Sequence, residues 1–359
     1  MELGVSIAEG LAGWKTAVRA EQLGFTTAWF EDSQMVAADP VVLMTLAAAN
    51  TSRIKLGSGV LIPSNRIAPQ TANSFATLNA LAPGRIILGV GTGFSGRRAM
   101  GHPPVRREEL KTYMQTVKAL LARETVEWEF EGRRRKIRFV HPEKNYINTT
   151  DPIEIYIAAQ GPKMIELTAE LAANWMCLYT QKEAAVADIN AMQRARKAAG
   201  VDGAALKSAI WLAGTPLADG ERADSPKGIA RGGPLTACFM HSAVESEFLS
   251  MGEKGLNPAG VDPSEDPALA GYRELYRSYQ PADARYLSMH RGHAVFVRDD
   301  ERHLLTADLI GRMTMTASVG ELRERFQELK RAGYDQFVFL VHPGEEGVLE
   351  EWVEVVEGI

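Results

Sequence analysis

GRIILGVGTG, residues Gly84 to Gly93, runs an apolar stretch, Ile86 to Val90, straight into a turn with glycine at 89, 91 and 93. LGSGV, Leu56 to Val60, repeats the arrangement one unit earlier. Two neighbouring strands that end in exposed backbone suit a phosphate or a flat ring, because glycine lets a ligand touch the chain. A tight strand-to-helix turn needs the same residues. Outward from this stretch the pattern repeats. Strand-like runs stand at Leu3–Ala8, Thr26–Glu31, Ile54–Val60, Arg85–Val90, Ile153–Ala158, Trp175–Tyr179, Leu206–Leu212 and Asp335–Val341. Helical apolar spacing fills the gaps, as in Trp14–Leu23, Val41–Ala49, Gln70–Leu81, Leu110–Leu121 and Ile165–Ala173. Strand and helix alternating through eight units predict an α/β fold, a (β/α)₈ TIM barrel. An open doubly wound sheet would need a switch point in strand order, and none is visible.

Two stretches depart from the repeat. Glu124–Val140 alternates about Glu131-Gly132 like a β-hairpin, with Arg133 to Lys136 as a solvated arm or a basic patch. Thr215–Asp300 is far longer than the few residues that usually follow a barrel strand. It opens with a Gly-, Pro- and Asp-rich loop and continues through helices near Leu235–Met251 and Pro267–Tyr279. The expectation is a single domain over 1–359, with an insertion of about 215–300 after strand seven that hangs over the C-terminal mouth.

The chain has 359 residues, 45% hydrophobic and 24% charged, with a formal net charge of −5. That balance gives no sign of nucleic acid as a partner. No run of apolar residues approaches the length of a membrane span. Cys177 and Cys238 lie in apolar surroundings without metal-ligand spacing and read as buried thiols. With MELGVSIAEG starting directly as a strand and no basic leader, a cytoplasmic protein is expected.

Barrel enzymes work at the C-terminal ends of their strands, so the residues after each strand are the candidates. Strand two ends in Glu31-Asp32-Ser33-Gln34, strand three in Ser58-Gly59-Val60 and strand four in Gly91-Thr92-Gly93. Strand five ends in Gln160-Gly161-Pro162-Lys163 and opens a helix, whose free N–H groups suit a phosphate as readily as they make a simple helix start. In Met289–His293 (MHRGH), His290 and His293 stand three apart, as metal ligands, a proton-transfer pair, pocket lining or structural groups do. No carboxylate stands at ligand spacing, and no metal site is expected. G-x-S-x-G, Walker and H-E-x-x-H motifs are absent, and the glycines at 89, 91, 93 and 96 lack the downstream acidic partner of a dinucleotide site.

Taken together, AEQLGFTTAWFEDSQ (Ala20–Gln34), AAANTSRIKLGSGVLIPSNR (Ala47–Arg66), ATLNALAPGRIILGVGTG (Ala76–Gly93), VRREELKTYMQTVKALL (Val105–Leu121) and IYIAAQGPKMIELTAELA (Ile155–Ala172) resemble the bacterial luciferase-like superfamily of flavin and deazaflavin oxidoreductases. The likeness returns at Ser318–Phe339 and is weak from about Pro216 to Asp299. It implies the barrel with an insertion near strand seven. It also implies that the ring of FMN or of the deazaflavin coenzyme F420 lies in the mouth, above a non-proline cis peptide at Gly59–Val60. Ser58, Gly59 and Val60, then Gly91, Thr92 and Gly93, would flank the cofactor, and Gln160, Gly161 and Lys163 would approach its phosphate. Substitution of Gly59 by a larger residue would then crowd the ring face. A homodimer through the helices after strands two and three is implied too.

One position departs from the pattern. Many members follow strand two with an acidic residue and a histidine, where this chain has Asp32-Ser33. A serine is a poor base without an activating partner. Catalytic duty would pass to Asp32, to Ser33, or to His290 or His293 from the insertion. The reading placed first is a two-component monooxygenase, using reduced FMN from a separate flavin reductase and oxygen on a small organic substrate. The alternatives are an F420-dependent reductase or dehydrogenase, towards which Asp-Ser-Gln leans, and a non-catalytic flavin-binding protein.

Overall fold

The computed structural model describes residues 1–8, 10–248 and 267–359. Eight parallel strands close on themselves: β1 Glu2–Ile7, β2 Thr27–Phe30, β3 Lys55–Ser58, β4 Ile86–Val90, β5 Glu154–Ala158, β6 Asn174–Leu178, β7 Ser208–Leu212 and β8 Gln336–Val341. Each pairs with its sequence neighbours, and β8 closes on β1 from Glu2↔Gln336 to Ile7↔Val341. The fold is the expected (β/α)₈ barrel.

Alternation along each strand divides the apolar residues into two cores. Outward positions such as Val5, Phe30, Leu88, Ile157, Trp175 and Phe339 pack under the helices. Inward positions such as Trp29, Tyr156, Met176, Trp211 and Val338 fill the barrel. The Trp29 ring lies 5.1 Å from both Tyr156 and Trp211, so the lumen is plugged by aromatic side chains. The outer helices include α1 Gly13–Gln22, α2 Pro40–Asn50, α3 Ala68–Leu81, α4 Phe94–Arg98, α5 Arg107–Leu121, α6 Pro162–Glu170 and α7 Lys182–Ala198. Asp39 caps α2 by accepting from the Val41 and Val42 N–H groups.

Val126–Phe130 and Arg133–Ile137 form the expected antiparallel hairpin, with positive φ at Glu131 and Gly132 in its two-residue turn. Arg133 to Lys136 are exposed on it. In the insertion, α8 Pro226–Phe248 starts earlier than the sequence suggests and carries Gly232, Gly233 and Pro234 inside a helix. The reason is tertiary packing, which overrides propensity. A Cβ at Gly232 would lie 2.6 Å from Thr316 Oγ1, and one at Gly233 2.7 Å from Val297 Cγ2, so only glycine lets α8 seat this closely. The last residues expected in that helix, 249–251, lie outside the described residues. α9 Pro267–Ser278 and α10 Arg285–Met289 follow, then α11 Ala307–Met313 and, after β8's preceding helix α12 Val319–Ala332, the terminal α13 Val348–Val356. The inner core runs without a break from the lumen into the insertion through Leu235, Phe239, Val244 and Tyr272. The insertion is thereby seated on the mouth.

Candidate active site

The mouth floor is built where β3 and β4 meet. The Gly59–Val60 peptide is cis. Ser58, fully buried, donates its hydroxyl to the Gly89 carbonyl at 2.8 Å and accepts from the Gly89 N–H at 3.1 Å. A Cβ at Gly89 would stand 2.1 Å from the Ser58 carbonyl oxygen, and one at Gly91 2.5 Å from Val60 Cγ2. These glycines therefore admit the chain's own bulge, which is why their spacing looked like a ligand cradle. Gly59 is crowded as well. Its Cβ would point to Trp29 Cβ at 2.9 Å and Trp211 at 3.3 Å, down into the lumen and away from the mouth. What faces up is Val60, half-buried, with Ala158 and Leu178 beside it.

Asp32 braces this floor. Its Oδ2 accepts from the Ile62 N–H at 2.9 Å and from Asn65 Nδ2 at 3.1 Å, and Asn65 also donates to Gln34 Oε1 at 2.8 Å. Gln34 in turn donates to the Gly96 carbonyl at 3.0 Å, tying the turn after β2 to α4. Burial pushes the Asp32 carboxyl above its ordinary range, and the two donors oppose that rise. Ser33 stays half-exposed at the rim, as does Thr92, while Gly93 adopts φ 85° to start α4.

Glu31, the first of the four polar residues that end strand two, is given no role by the sequence reading. By alternation it points inward, one position above Trp29, and its Oε1 accepts from the Ser6 hydroxyl at 3.2 Å. Partial loss of solvent at this half-buried carboxyl pushes it up to about 7, against the Ser6 bond. Among the described residues no cation forms an ion pair with it. The parity of Glu31 with Trp29 was the signal that could have found it.

At the opposite edge, Gln160 donates to the Leu178 carbonyl at 3.1 Å. Gly161 (φ 81°) and Lys163 are exposed at the start of α6, which no side chain caps. Positive end and lysine together suit a phosphate.

His290 and His293 are brought together, and among the described residues no hydrogen bond or ion pair links them to Asp32 or Ser33. They lie 6% and 2% exposed inside the insertion. His290 Nδ1 and His293 Nδ1 are 2.9 Å apart, and Cys238 Sγ lies 2.9 Å from His293 Nε2. His290 Nε2 is 2.7 Å from Glu245 Oε1, an ion-pair contact whose angles fall short of a hydrogen bond. Glu245 also meets Arg98 of α4 at 3.3 Å. Next to them His241 Nε2 contacts Glu301 at 2.6 Å, and Arg298 contacts Glu301 at 3.0 Å. Burial pushes His293 well below the usual histidine range and the Cys238 thiol well above its own, so both are neutral. Among the described residues no group of three or more such side chains is arranged to hold a metal. Cys177 and Cys238 are free and buried.

The closed (β/α)₈ barrel defines a class of architecture whose sites lie over the C-terminal ends of the strands. Residues 13–226 match the model of the luciferase-like monooxygenase family, and the chain belongs to that luciferase-like family of oxidoreductases. It is 34% identical over 174 residues to the F420-dependent glucose-6-phosphate dehydrogenase of Kineococcus radiotolerans, a match covering 45% of this chain and 50% of that one. It is 34% identical over 157 residues to the 5,10-methylenetetrahydromethanopterin reductase of Methanolobus tindarius, covering 43% and 45%. The chain thus matches about half the length of these curated relatives. An F420-dependent secondary alcohol dehydrogenase in complex with an F420-acetone adduct superposes with TM-score 0.67 at 17% identity, over 99% of this chain and 98% of that one. The FMN-bound oxygenating constituent of 3,6-diketocamphane monooxygenase from Pseudomonas putida gives 0.63 at 15%, over 99% and 95%. Likeness at such identities speaks for the fold alone. No helix among the described residues is long and apolar enough to cross a membrane.

Proposed function

We propose that this chain is an F420-dependent oxidoreductase that exchanges a hydride with a small organic substrate in the barrel mouth. The observation that carries it is the 34% identity over 174 residues to F420-dependent glucose-6-phosphate dehydrogenase. The FMN-and-oxygen reading, placed first from sequence alone, has the support of fold likeness only. A separate flavin reductase is then not required.

The residues fit such a coenzyme. Val60, Ala158 and Leu178 offer an apolar, partly open floor for a flat ring, and the uncapped start of α6 with Lys163 offers the phosphate a positive end. When bound, the deazaflavin accepts or returns one hydride. Asp32 holds the bulge at the height at which Val60 would meet the ring. The insertion, packed on the mouth, keeps water from the reacting atoms.

Fluorescence titration of the purified protein with oxidised F420 and with oxidised and reduced FMN tests this reading. Micromolar binding of F420 and none of reduced FMN is expected. Tight binding of reduced FMN without F420 returns the monooxygenase reading to first place.

A further inference from the structure

At the C-terminal ends of the barrel strands, the inward positions around Glu31 are Ser6, Gly59, Gly91, Ala158, Leu178 and Leu340. Glu31 alone among them ionises. It is also the side chain that stands directly on the aromatic plug, beside the floor offered to the coenzyme. Asp32, the neighbouring carboxylate, has its Oδ2 committed to the Ile62 N–H and to Asn65. The two histidines of the insertion are sealed against each other, Cys238 and Glu245. Ser33 has no base at hydrogen-bond distance among the described residues.

We propose that Glu31 is the catalytic acid–base of this enzyme, and that the substrate pair it serves is an alcohol and its carbonyl compound. The proposal rests on the coenzyme reading above. In the oxidising direction the substrate C–H bond breaks with its electron pair going to the oxidised deazaflavin. The O–H bond breaks with its proton going to the Glu31 carboxylate, and the C–O bond becomes a carbonyl. In the reducing direction the same proton returns from the Glu31 carboxyl to oxygen. An alcohol–carbonyl pair fits because the exchange needs one proton donor and acceptor and no fixed countercharge, and among the described inward positions at this level Glu31 is the one ionisable side chain. A general base works best when poised near the working pH, and Glu31 is held near 7 by its partial loss of solvent.

The groups that face it bear on its titration. From β1 the Ser6 hydroxyl donates to the carboxylate and favours the charged form. From α8 the Cys238 thiol lies within electrostatic reach and is itself held neutral by burial. Removing the Ser6 hydroxyl therefore moves the Glu31 titration upward.

Infrared titration of the full chain, without coenzyme, reads the carboxyl directly. A protonated-acid carbonyl band should disappear with a midpoint near pH 7, be missing in Glu31→Gln, and move to higher pH in Ser6→Ala. With oxidised F420 bound, small primary and secondary alcohols serve as substrates, and the matching ketones and aldehydes with the reduced coenzyme. Glu31→Gln should keep its coenzyme affinity within threefold and lose turnover by about a hundredfold or more, the usual span of general acid–base catalysis. Ser6→Ala should shift the pH limb of turnover in the same direction as the infrared midpoint. Wild-type turnover in Glu31→Gln with coenzyme bound overturns the role of Glu31 and leaves the coenzyme reading standing. Coenzyme binding without turnover of any alcohol or carbonyl compound overturns the substrate class. Failure of the wild type to bind F420 overturns the coenzyme reading itself, and the proposal with it.

Discussion

An alanine methyl at position 89 would stand 2.1 Å from the Ser58 carbonyl oxygen, a backbone atom that cannot swing aside. Gly89→Ala should therefore force β3 and β4 apart and cost about 3 kcal/mol, at the upper end of overpacking effects. Gly161→Ala, where nothing lies within 4 Å but φ is 81°, should cost only about 1 kcal/mol from the backbone strain. Urea denaturation of both variants checks the order. Equal losses would mean that the bulge yields to the added methyl. The glycines were legible in the sequence as glycines that matter, but not as what they matter for. A ligand and a neighbouring strand ask the same thing of a residue without a Cβ, and only the pairing register tells them apart. Glu31 was hidden for a related reason. Its inward direction depends on counting parity from Trp29, and its altered titration depends on the surrounding apolar wall.

At the scale of elements, α4 is short and leans on the insertion through the buried Arg98, which meets Glu245 and donates to the Ser242 carbonyl at 3.4 Å. The two side chains are 4% and 0% exposed, so removing one partner strands a charge. Arg98→Met should destabilise the protein by about 3–5 kcal/mol, and the double variant Arg98→Met, Glu245→Leu should recover most of that loss. Thermal and urea unfolding of the three proteins measure it, and a double variant no better than the single one would show that Arg98 acts through its packing. The helix α8 shows where sequence reasoning stopped short. Its Gly-Gly-Pro run reads as a loop by propensity, yet Thr316 and Val297 press against Gly232 and Gly233. His290 and His293 were visible as a pair, while their burial among Cys238, His241 and Glu245, all on α8, depends on packing against a helix distant in sequence.

The whole barrel was the most legible feature, since eight apolar runs with helical spacing between them leave little choice of topology. Oligomeric state is a proposal at this scale. Val42 on α2 and Leu81 on α3 remain 49% and 48% exposed, on the helices through which a homodimer is expected. Sedimentation should give a dimer for the wild type and a monomer for Val42→Asp, Leu81→Asp, whereas a wild-type monomer would end that proposal. Closure of the ring also carries a temporal consequence. Residues 2–7 lie against 336–341, so β1 leaves the ribosome long before β8 exists to cover its free edge. Throughout synthesis that edge presents open backbone donors and acceptors, a template for pairing with other chains. The nascent barrel thus stays adhesive until β8 emerges, and a truncation that removes β8 should leave a chain that aggregates rather than one that works slowly.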